Sequence, residues 1–322
     1  MNAKPTGCVQ IEPDLLAAAM GEAAPEALRH VEGHVAICRP CRAEFERYRA
    51  VDRVVGAIRD EPLPAARVAQ AREGLEARLA DLRSRLLTYR IFPSPLGHIL
   101  IARSEAGVSL VEYLERATSL RASRLSRAAG VEATQDGGEL EVFYRELLEY
   151  LEGRRTRLDW PLDLRLARSA FHREVLRATA AIPYGAVVAY AGIARELGKP
   201  DAARAVAQAL RWNPVPIVVP CHRVIGTSGS LTGYAGNKIG LKQRLLAVEG
   251  VPTAGAQHDL RIVRDAMYVH SLDDREYCLP TCPSVASASP ARLALFASRE
   301  RAEAAGLGPC TTCCPDLHPI SR

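Results

Sequence analysis

Cys221 is the residue of this 322-residue sequence whose type and setting most directly suggest chemistry. It lies in VVPCHRVIG, residues 218–226, at the end of the apolar run PVPIVV. A cysteine is a strong nucleophile only as the thiolate, so it needs a nearby base or positive charge. His222 is adjacent, and Glu249 in LLAVEG could orient its imidazole. These residues predict nucleophilic thiol chemistry, with a small buried core cysteine or a cysteine hydrolase as alternatives.

The other cysteines form two groups, one near each end of the sequence. The N-terminus lacks the basic start and following apolar stretch of a secretory signal, and no apolar run is long enough to span a membrane. We therefore expect a cytoplasmic protein without membrane partners, in which grouped cysteines indicate metal binding or catalysis rather than disulfides. The two groups are Cys8, Cys38 and Cys41, and Cys278, Cys282, Cys310, Cys313 and Cys314.

Both groups have the spacing of zinc ligands. HVAICRPC contains H-x3-C-x2-C, which on a helix places His34, Cys38 and Cys41 on one face, with Cys8 26 positions before His34. The second group contains C-x3-C and then C-x2-C, and four thiolates at such spacing suit tetrahedral zinc. The second group therefore predicts a zinc site, and the first group indicates metal binding.

The composition excludes fewer classes of function than the motifs do. The chain carries 42 Lys and Arg against 37 Asp and Glu, a formal net charge of +5, and 48% hydrophobic residues. This is typical of a soluble protein with a sizeable core. Almost all basic residues are Arg, but charge alone does not establish nucleic-acid binding. The length predicts two or three domains.

The pattern along the chain predicts a multidomain α+β protein. Short helices with a turn at residues 21–25 come first, and a charged helical linker follows. Strand-like runs broken at residues 95–97 and at Gly107 predict a small antiparallel sheet. A mainly helical part and a small α+β part with many turn residues complete the chain. The predicted segments are 1–60, 61–86, 87–160, 161–252 and 255–322.

Two helices joined by a tight turn at residues 198–200 are predicted just before Cys221. The second helix has an apolar stripe and a second face on which two arginines and a glutamine are spaced by four and three. This predicts a helix-turn-helix with a narrow basic face whose small side chains suit a minor groove about 6 Å wide. The alternative is an ordinary helical hairpin with a solvated face. The stripe comprises Ala202, Ala205, Val206, Ala209 and Leu210, and the polar face comprises Arg204, Gln208 and Arg211.

The run PYG…AY…LG.P.AARAV..AL..NPVPI.VPCHRVIG closely resembles the O6-alkylguanine-DNA alkyltransferases, also called methylated-DNA–protein-cysteine methyltransferases. The resemblance covers about residues 87 to 252. It implies irreversible transfer of an alkyl group from O6-alkylguanine in double-stranded DNA to the protein, once per molecule and without a cofactor. O4-alkylthymine is a further candidate substrate.

The resemblance implies a role for each residue of the reacting centre. Cys221 would be the acceptor thiolate, and His222 would take its proton through a water while Glu249 holds and polarises the imidazole. Asn213 would fix the loop and contact the base. Tyr190 would help to donate a proton to the leaving guanine or rotate the phosphate, with a plain core role as the alternative.

The resemblance also implies a set of DNA contacts. Arg204 would fill the gap that the extruded nucleotide leaves, on a helix face shared with Ala205, Gln208 and Arg211. Tyr234, with the loop 228–236, would wall the pocket. One departure from the family is Trp212, which stands where many members have a smaller or basic residue and would alter the approach of DNA or cap the helix.

Residues 258 to 318 resemble the metal-binding methyl-phosphotriester repair domain of the Ada protein, through the cysteine spacing and the run AEAAGLGPC..C.PD. The resemblance implies zinc on Cys278, Cys282, Cys310 and Cys313, with Cys278 as a candidate second methyl acceptor. Two departures favour the alternative of a structural zinc knuckle. Asp273 and Asp274 would repel phosphate, and PSVASASP replaces the expected basic run. Cys314 and His318 are expected to be spare.

Residues 5 to 55 resemble the zinc-binding anti-sigma-factor domain, which implies zinc on Cys8, His34, Cys38 and Cys41. A sigma factor or another transcription protein is then a candidate partner, and a purely structural zinc clamp is the alternative. The leading hypothesis for the whole chain is a monomeric DNA repair protein. The alternative is a transcription regulator that responds to alkylation or oxidation.

Overall fold

The computed structural model describes residues 6–60, 64–114, 123–128, 130–236, 238–256 and 259–320. The chain divides into two compact units, Met1–Leu79 and Ala80–Arg322. The helices are α1 (Thr6–Ala19), α2 (Pro25–Ile37), α3 (Arg39–Asp60), α4 (Ala65–Arg85), α5 (Glu141–Leu151), α6 (Ala170–Ala180), α7 (Tyr190–Glu196), α8 (Ala203–Arg211), α9 (Ile239–Val248), α10 (Pro283–Ala286) and α11 (Arg299–Ala304). The strands are β1 (Leu86–Ser94), β2 (Gly97–Ser104), β3 (Gly107–Leu114), β4 (Glu132–Gln135), β5 (Ala186–Ala189), β6 (Val224–Ile225), β7 (Thr253–Ala254), β8 (Arg261–Ile262), β9 (Tyr268–Ser271), β10 (Glu276–Cys278), β11 (Leu293–Phe296) and β12 (Gly308–Pro309).

The first unit is helical, as the sequence predicts. Pro25 begins α2, where its fixed backbone angle suits the first helical turn and its missing N–H costs nothing. The core between α1, α2 and α3 is small, with Ile11, Leu15 and Val31 fully buried. α3 has 22 residues and is longer than the short helices expected, because after Pro40 no proline or run of turn residues interrupts it. A core this small gains stability from an additional cross-link.

The second unit begins with a four-stranded sheet in the order β3-β2-β1-β4. β1, β2 and β3 form the predicted antiparallel meander, whereas β4 pairs with β1 in parallel. The sheet is therefore mixed and not purely antiparallel as expected. Gly107 has a φ of 145°, and a Cβ at this position would lie 2.2 Å from the carbonyl oxygen of Pro161. Only glycine allows this close approach of two backbones.

α7 and α8 form the predicted helix-turn-helix. Gly198, at a φ of 69°, ends the first helix, and a single 3-10 turn over Pro200–Ala202 leads into the second. The left-handed conformation of Gly198 carries no steric cost, which explains the sharp reversal. Upstream, the Ser169 hydroxyl caps α6 by accepting a hydrogen bond from the amide of His172.

A second sheet of six strands, in the order β12-β10-β9-β11-β5-β6, crosses the boundary expected near residue 255. β11 pairs with β5 in antiparallel register, with Ala294 opposite Val188 and Phe296 opposite Ala186. All four residues of each of these strands are buried. The part of the chain expected as a separate domain thus shares a continuous sheet with the segment that carries Cys221. No helix in the described ranges is both long and apolar enough to cross a membrane.

Candidate active site and metal centres

Cys221 begins a single 3-10 turn, Cys221–Arg223, directly before β6. The side chain is only 6% exposed, but it lines a cavity of about 200 Å³ that is open to one side. Other residues around this cavity are Glu112, Tyr113, Arg124, Leu210, Arg211, Trp212, Asn213, Pro216, Ala235, Gly236 and Lys238. The sulfur is therefore sheltered from bulk solvent and still reachable from the cavity.

Asn213 fixes the loop that carries the cysteine, as expected. Its Nδ2 donates to the carbonyl of Val219 at 2.9 Å and to Sγ of Cys221 at 3.2 Å, and its Oδ1 accepts from the amide of Val215 at 3.0 Å. Burial raises the pKa of the Cys221 thiol above its ordinary value, although Asn213 and the charge of Lys242 oppose the shift. At neutral pH the side chain is mainly a thiol, so the predicted thiolate has to be generated during the reaction.

His222 and Glu249 form a fully buried pair, with Nε2 and Oε1 2.6 Å apart. Burial lowers the pKa of His222, and Glu249 opposes this without reversing it. The imidazole is therefore neutral, and with Glu249 as the acceptor its proton belongs on Nε2. Nδ1 of His222 is buried and makes no hydrogen bond with any residue in the described ranges. This nitrogen is free to accept a proton.

Glu249 is held by groups that the sequence analysis did not identify. Nε of Arg223 donates to both carboxylate oxygens, at 3.1 and 2.9 Å, the amide of Gly185 donates to Oε2 at 3.0 Å, and the hydroxyl of Tyr150 donates to Oε1. Burial by itself would raise the pKa of Glu249, but His222 and Arg223 lower it to about 2. The group is a carboxylate at neutral pH. Arg223 could have been suspected, because it directly follows His222.

Lys242 is a second residue that sequence reasoning missed. It is fully buried, and its Nζ donates to the carbonyl oxygens of Val224 at 2.5 Å and Thr232 at 3.1 Å. Burial lowers its pKa to about 8, and the field of Cys221 opposes the shift. The scarcity of lysine could have drawn attention to this residue, since Lys242 is one of four lysines in an arginine-rich chain. A cation here favours ionisation of Cys221.

The two predicted tyrosines occupy different settings. Tyr190 begins α7 and is half-buried, and its hydroxyl donates to the carbonyl of Thr232 at 3.3 Å. Tyr234 is 3% exposed and is not among the residues around the cavity, although its neighbours Ala235 and Gly236 are. Its hydroxyl lies 2.8 Å from that of Tyr113, which does line the cavity. Tyr113 thus lines the cavity, and Tyr234 lies behind it.

α8 presents the polar face that the sequence predicts. Arg204, Gln208 and Arg211 are exposed, whereas Val206, Ala209 and Leu210 are buried. Ala205, which was placed in the apolar stripe, is exposed instead, since it lies at the edge of that stripe and beside Arg204. The exposed set therefore contains every α8 residue that the resemblance assigns to DNA.

Trp212 caps the end of α8 and is held in place by two arginines. The guanidinium of Arg168 lies 3.6 Å from the ring centroid, and Nη2 of Arg124 donates to the carbonyl of Trp212 at 3.0 Å. Nη1 of Arg124 donates to the carbonyl of Asn213 at 2.9 Å. Arg124 thus joins the end of α8 to the rim of the Cys221 cavity.

The C-terminal cysteines converge as the spacing predicts. The sulfurs of Cys278, Cys282, Cys310 and Cys313 all lie within 4.8 Å of one another. Sulfurs bound to one tetrahedral zinc are about 3.8 Å apart, so this donor set fits such an ion. The amide of Leu279 donates to Sγ of Cys313 at 3.3 Å, a hydrogen bond that supports a thiolate. Neither Cys314 nor His318 belongs to the cluster, as expected.

Asp273 does not carry the uncompensated negative charge that the sequence suggested. Its carboxylate is bound by Arg195 of α7 at 2.7 Å and by Arg292 at 2.8 Å, and these ion pairs lower its pKa. Two cations therefore balance this charge. Asp274 remains exposed, with one carboxylate oxygen 3.5 Å from Nδ1 of His270.

The N-terminal cluster also forms as predicted. The ligand atoms of Cys8, His34, Cys38 and Cys41 lie within 4.8 Å of one another. Sγ of Cys8 is 3.8 Å from Sγ of Cys38 and 3.8 Å from Nε2 of His34, which is close to the ligand separation in a tetrahedral zinc site. The chain thus has a cluster suited to metal binding near each end, and zinc is the usual metal for such ligands.

Known proteins resemble three parts of the chain. The family model of the ribonuclease-like domain of 6-O-methylguanine DNA methyltransferase matches residues 87–164, and that of the DNA binding domain of the same proteins matches residues 170–251. The model of the metal binding domain of Ada matches residues 259–316. These matches agree with two of the three resemblances inferred from the sequence. The resemblance to anti-sigma-factor domains stays a prediction.

Individual relatives cover the middle half of the chain. The methylated-DNA–protein-cysteine methyltransferase of Methanosarcina acetivorans is 38% identical over 164 residues, which are 50% of this chain and 97% of that protein. The protein of the same name from Mycolicibacterium paratuberculosis is 40% identical over 164 residues, 51% of this chain and 93% of its own. The crystal structure of Mycobacterium tuberculosis OGT in complex with DNA has a TM-score of 0.43 and 38% identity, and the match covers 50% of this chain and 92% of that one.

Proposed function

The chain belongs to the family of methylated-DNA–protein-cysteine methyltransferases, and we propose that it repairs DNA by moving an alkyl group from O6-alkylguanine irreversibly to Cys221. One observation carries the assignment of Cys221. Its thiol lines a cavity, and the next residue, His222, forms a buried pair with Glu249 and has an imidazole nitrogen, Nδ1, without a hydrogen-bond partner among the described residues. O4-alkylthymine is a second candidate substrate, and double-stranded DNA is the proposed partner.

The proposed reaction needs no cofactor. Nδ1 of His222 takes the thiol proton, through a water as expected from the sequence, and Glu249 stabilises the imidazolium that forms. The thiolate attacks the alkyl carbon, the S–C bond forms, and the bond from carbon to O6 breaks. Guanine leaves with a proton, for which Tyr190 is the proposed donor, and the proton that His222 took from the thiol then replaces it on Tyr190. The thioether product is stable, so each molecule reacts once.

The helix-turn-helix supports access to the base. An alkylated O6 inside a stacked duplex cannot reach a cavity in the protein, so the nucleotide must be turned out at a cost of a few kcal/mol. We propose that Arg204, exposed on α8, fills the gap and offsets part of this cost. Ala205, Gln208 and Arg211 share the exposed surface, and the small side chain of Ala205 allows close approach to a groove.

We propose that both clusters bind zinc. Zinc keeps ligand thiolates ionised at neutral pH, and in small domains it supplies much of the folding free energy. Cys278 is the candidate second methyl acceptor, for phosphotriesters, but it is 2% exposed and would have to become accessible first. Its burial favours the structural role. A sigma factor or other transcription protein stays the predicted partner of the N-terminal unit, and the monomeric state also stays a prediction.

The proposal is tested by mass spectrometry of peptides after incubation with duplex DNA that contains one O6-methylguanine. We expect one methyl group per chain, on the Cys221 peptide, and no turnover beyond one equivalent. Cys221→Ala should accept none while it still binds DNA. Cys314→Ala, which removes a cysteine outside both clusters, is the matched control and should behave as the wild type. A methyl group on the peptide that carries position 221 in the Cys221→Ala variant, or repeated turnover of the wild type, would refute the proposal.

A further inference from the structure

The peptide unit of Gly185 is hydrogen-bonded on both sides. Its amide donates to Oε2 of Glu249 at 3.0 Å, and its carbonyl accepts from the amide of Ala297 at 2.8 Å. Ala297 directly follows β11, in the segment that the Ada metal-binding family matches. A single residue therefore separates the C-terminal module, residues 259–316, from the carboxylate that holds His222.

A side chain of the same module reinforces this contact. The guanidinium of Arg301 on α11 lies 4.5 Å from the ring centroid of Tyr184, and the guanidinium of Arg223 lies 5.6 Å from it. The hydroxyl of Tyr184 donates to the carbonyl of Val248, the residue before Glu249, at 2.9 Å. Cγ of Arg301 would lie 3.1 Å from a Cβ on Gly185, so its aliphatic stem packs against that peptide. Cation–ring contacts of this kind gain strength where water is excluded.

Hydrogen bonds connect the cysteine cluster to α11, the helix that carries Arg301. The hydroxyl of Tyr277, next to Cys278, donates to Glu303 of α11 at 2.9 Å, and the amide of Cys310 donates to the carbonyl of Tyr277 at 3.0 Å. α11 is one and a half turns long, too short to be stable alone, so its place depends on these contacts. A chain of contacts thus runs from the cysteine cluster through Tyr277 and α11 to Gly185 and Glu249.

We propose that Ala297 and Arg301 are positioning residues for alkyl transfer, through which the C-terminal module holds the Glu249–His222 pair in place. This rests on the proposed function for its consequence in repair, but the geometry can be tested on the thiol alone. If Glu249 loosens, it stabilises the imidazolium of His222 less, and Cys221 then ionises only at higher pH. Among the described residues, the other charged or titratable groups that interact with Cys221 or His222 include Tyr113, Tyr150, Tyr190, Arg223, Tyr234 and Lys242, and Glu112, Arg124, Arg211 and Lys238 line the cavity of Cys221.

The test measures how pH affects the alkylation of Cys221 by iodoacetamide, read by peptide mass spectrometry on the full chain. For Arg301→Ala we expect the apparent pKa of Cys221 to rise by about half a unit or more, which corresponds to about threefold less thiolate at pH 7. Methyl transfer at pH 7 should fall by about the same factor. Arg301→Lys keeps a cation over Tyr184 and should recover most of both losses.

The matched control is Arg275→Ala, which removes an exposed arginine of the same module outside α11. It should leave the titration of Cys221 unchanged. If Arg301→Ala does not fold, Arg301→Gln retains the stem against Gly185 and gives the same readout. An unchanged apparent pKa in the folded variant, with or without a lower melting temperature, overturns the inference. Failure of the wild type to accept methyl groups would refute the proposed function, while the titration would still decide this inference.

Discussion

At the scale of single residues, burial controls the chemistry of this site. The same exclusion of water raises the pKa of Cys221, lowers that of His222 and lowers that of Lys242 to about 8. Each shift favours the neutral form of the group. The thiol is thus mainly protonated in the resting protein, and in the proposed mechanism it ionises only when its proton passes to His222. Glu249 is the exception, because Arg223 and His222 hold it as a carboxylate.

Replacement of Lys242 tests how its positive charge affects the ionisation of Cys221. In Lys242→Met the cation that favours ionised Cys221 is lost, so we expect methyl transfer at pH 7 to fall by about tenfold, equivalent to about one pKa unit. The loss should shrink as the pH rises, because hydroxide then ionises the thiol without help. The pH profile of the single-turnover rate measures this. Lys199→Met, which removes an exposed lysine paired with Glu174, should leave the profile as it is.

Glu249 should also make stability depend on pH. Its folded pKa, about 2, is lower than its ordinary value of 4.5, so its contribution is present above pH 4.5 and is lost as the pH falls towards 2. The full contribution is about 3 kcal/mol. We expect wild type and Glu249→Gln to differ most in melting temperature near pH 6 and to converge near pH 2. A difference that stays constant over this range would argue against the depressed pKa.

At the scale of elements, α8 and the loop after it divide the work of binding and reaction. The helix presents exposed Arg204, whereas its capping residue Trp212 and the following Asn213 line the Cys221 cavity. Arg124 bonds the carbonyls of both. In the proposed mechanism, one short segment thereby connects the helix that would extrude the nucleotide with the residues around the thiol.

Arg204→Ala separates these two tasks. Without the side chain that fills the stack, transfer from duplex DNA should slow by about tenfold or more, since the unstacking cost of a few kcal/mol is no longer offset. Transfer from a free O6-alkylguanine base, which needs no extrusion, should change by less than about twofold, because the change is remote from the chemical step. The measurement is the ratio of the two single-turnover rates. Equal slowing on both substrates would contradict the assigned role.

At the scale of the whole molecule, the chain consists of two compact units, each with its own cysteine cluster. We expect about two zinc ions per chain in metal analysis, because both donor sets suit tetrahedral coordination. Cys38→Ser and Cys282→Ser should each lose about one zinc, and the two losses should be independent. If the purified chain holds no zinc and gains no thermal stability from added zinc, both metal assignments fail.

The domain pattern was predictable in outline, because helical and strand-like periodicities are local properties of the sequence. The helix-turn-helix was read from the spacing in 182–219 and from Gly198, and α7 and α8 follow it. The pairing of β4 with β1 and of β11 with β5 was not predictable, since strands of four residues carry no signal for their partner. For the same reason the sheet that crosses residue 255 was not foreseen.

The sequence alone indicates Cys221 and His222 as the centre of the candidate site and names the candidate metal ligands of both clusters. Adjacent residues such as Cys221 and His222, or cysteines three or four positions apart, are brought together by local chain geometry, whereas the approach of Cys8 to His34 and of Cys282 to Cys310 depends on the fold. The charge states of Cys221, Lys242 and Glu249, and the support from Tyr150, Gly185 and Ala297, follow from the folded structure. These depend on burial and on hydrogen bonds between segments far apart in the chain, and such contacts exist only once the core has closed around them.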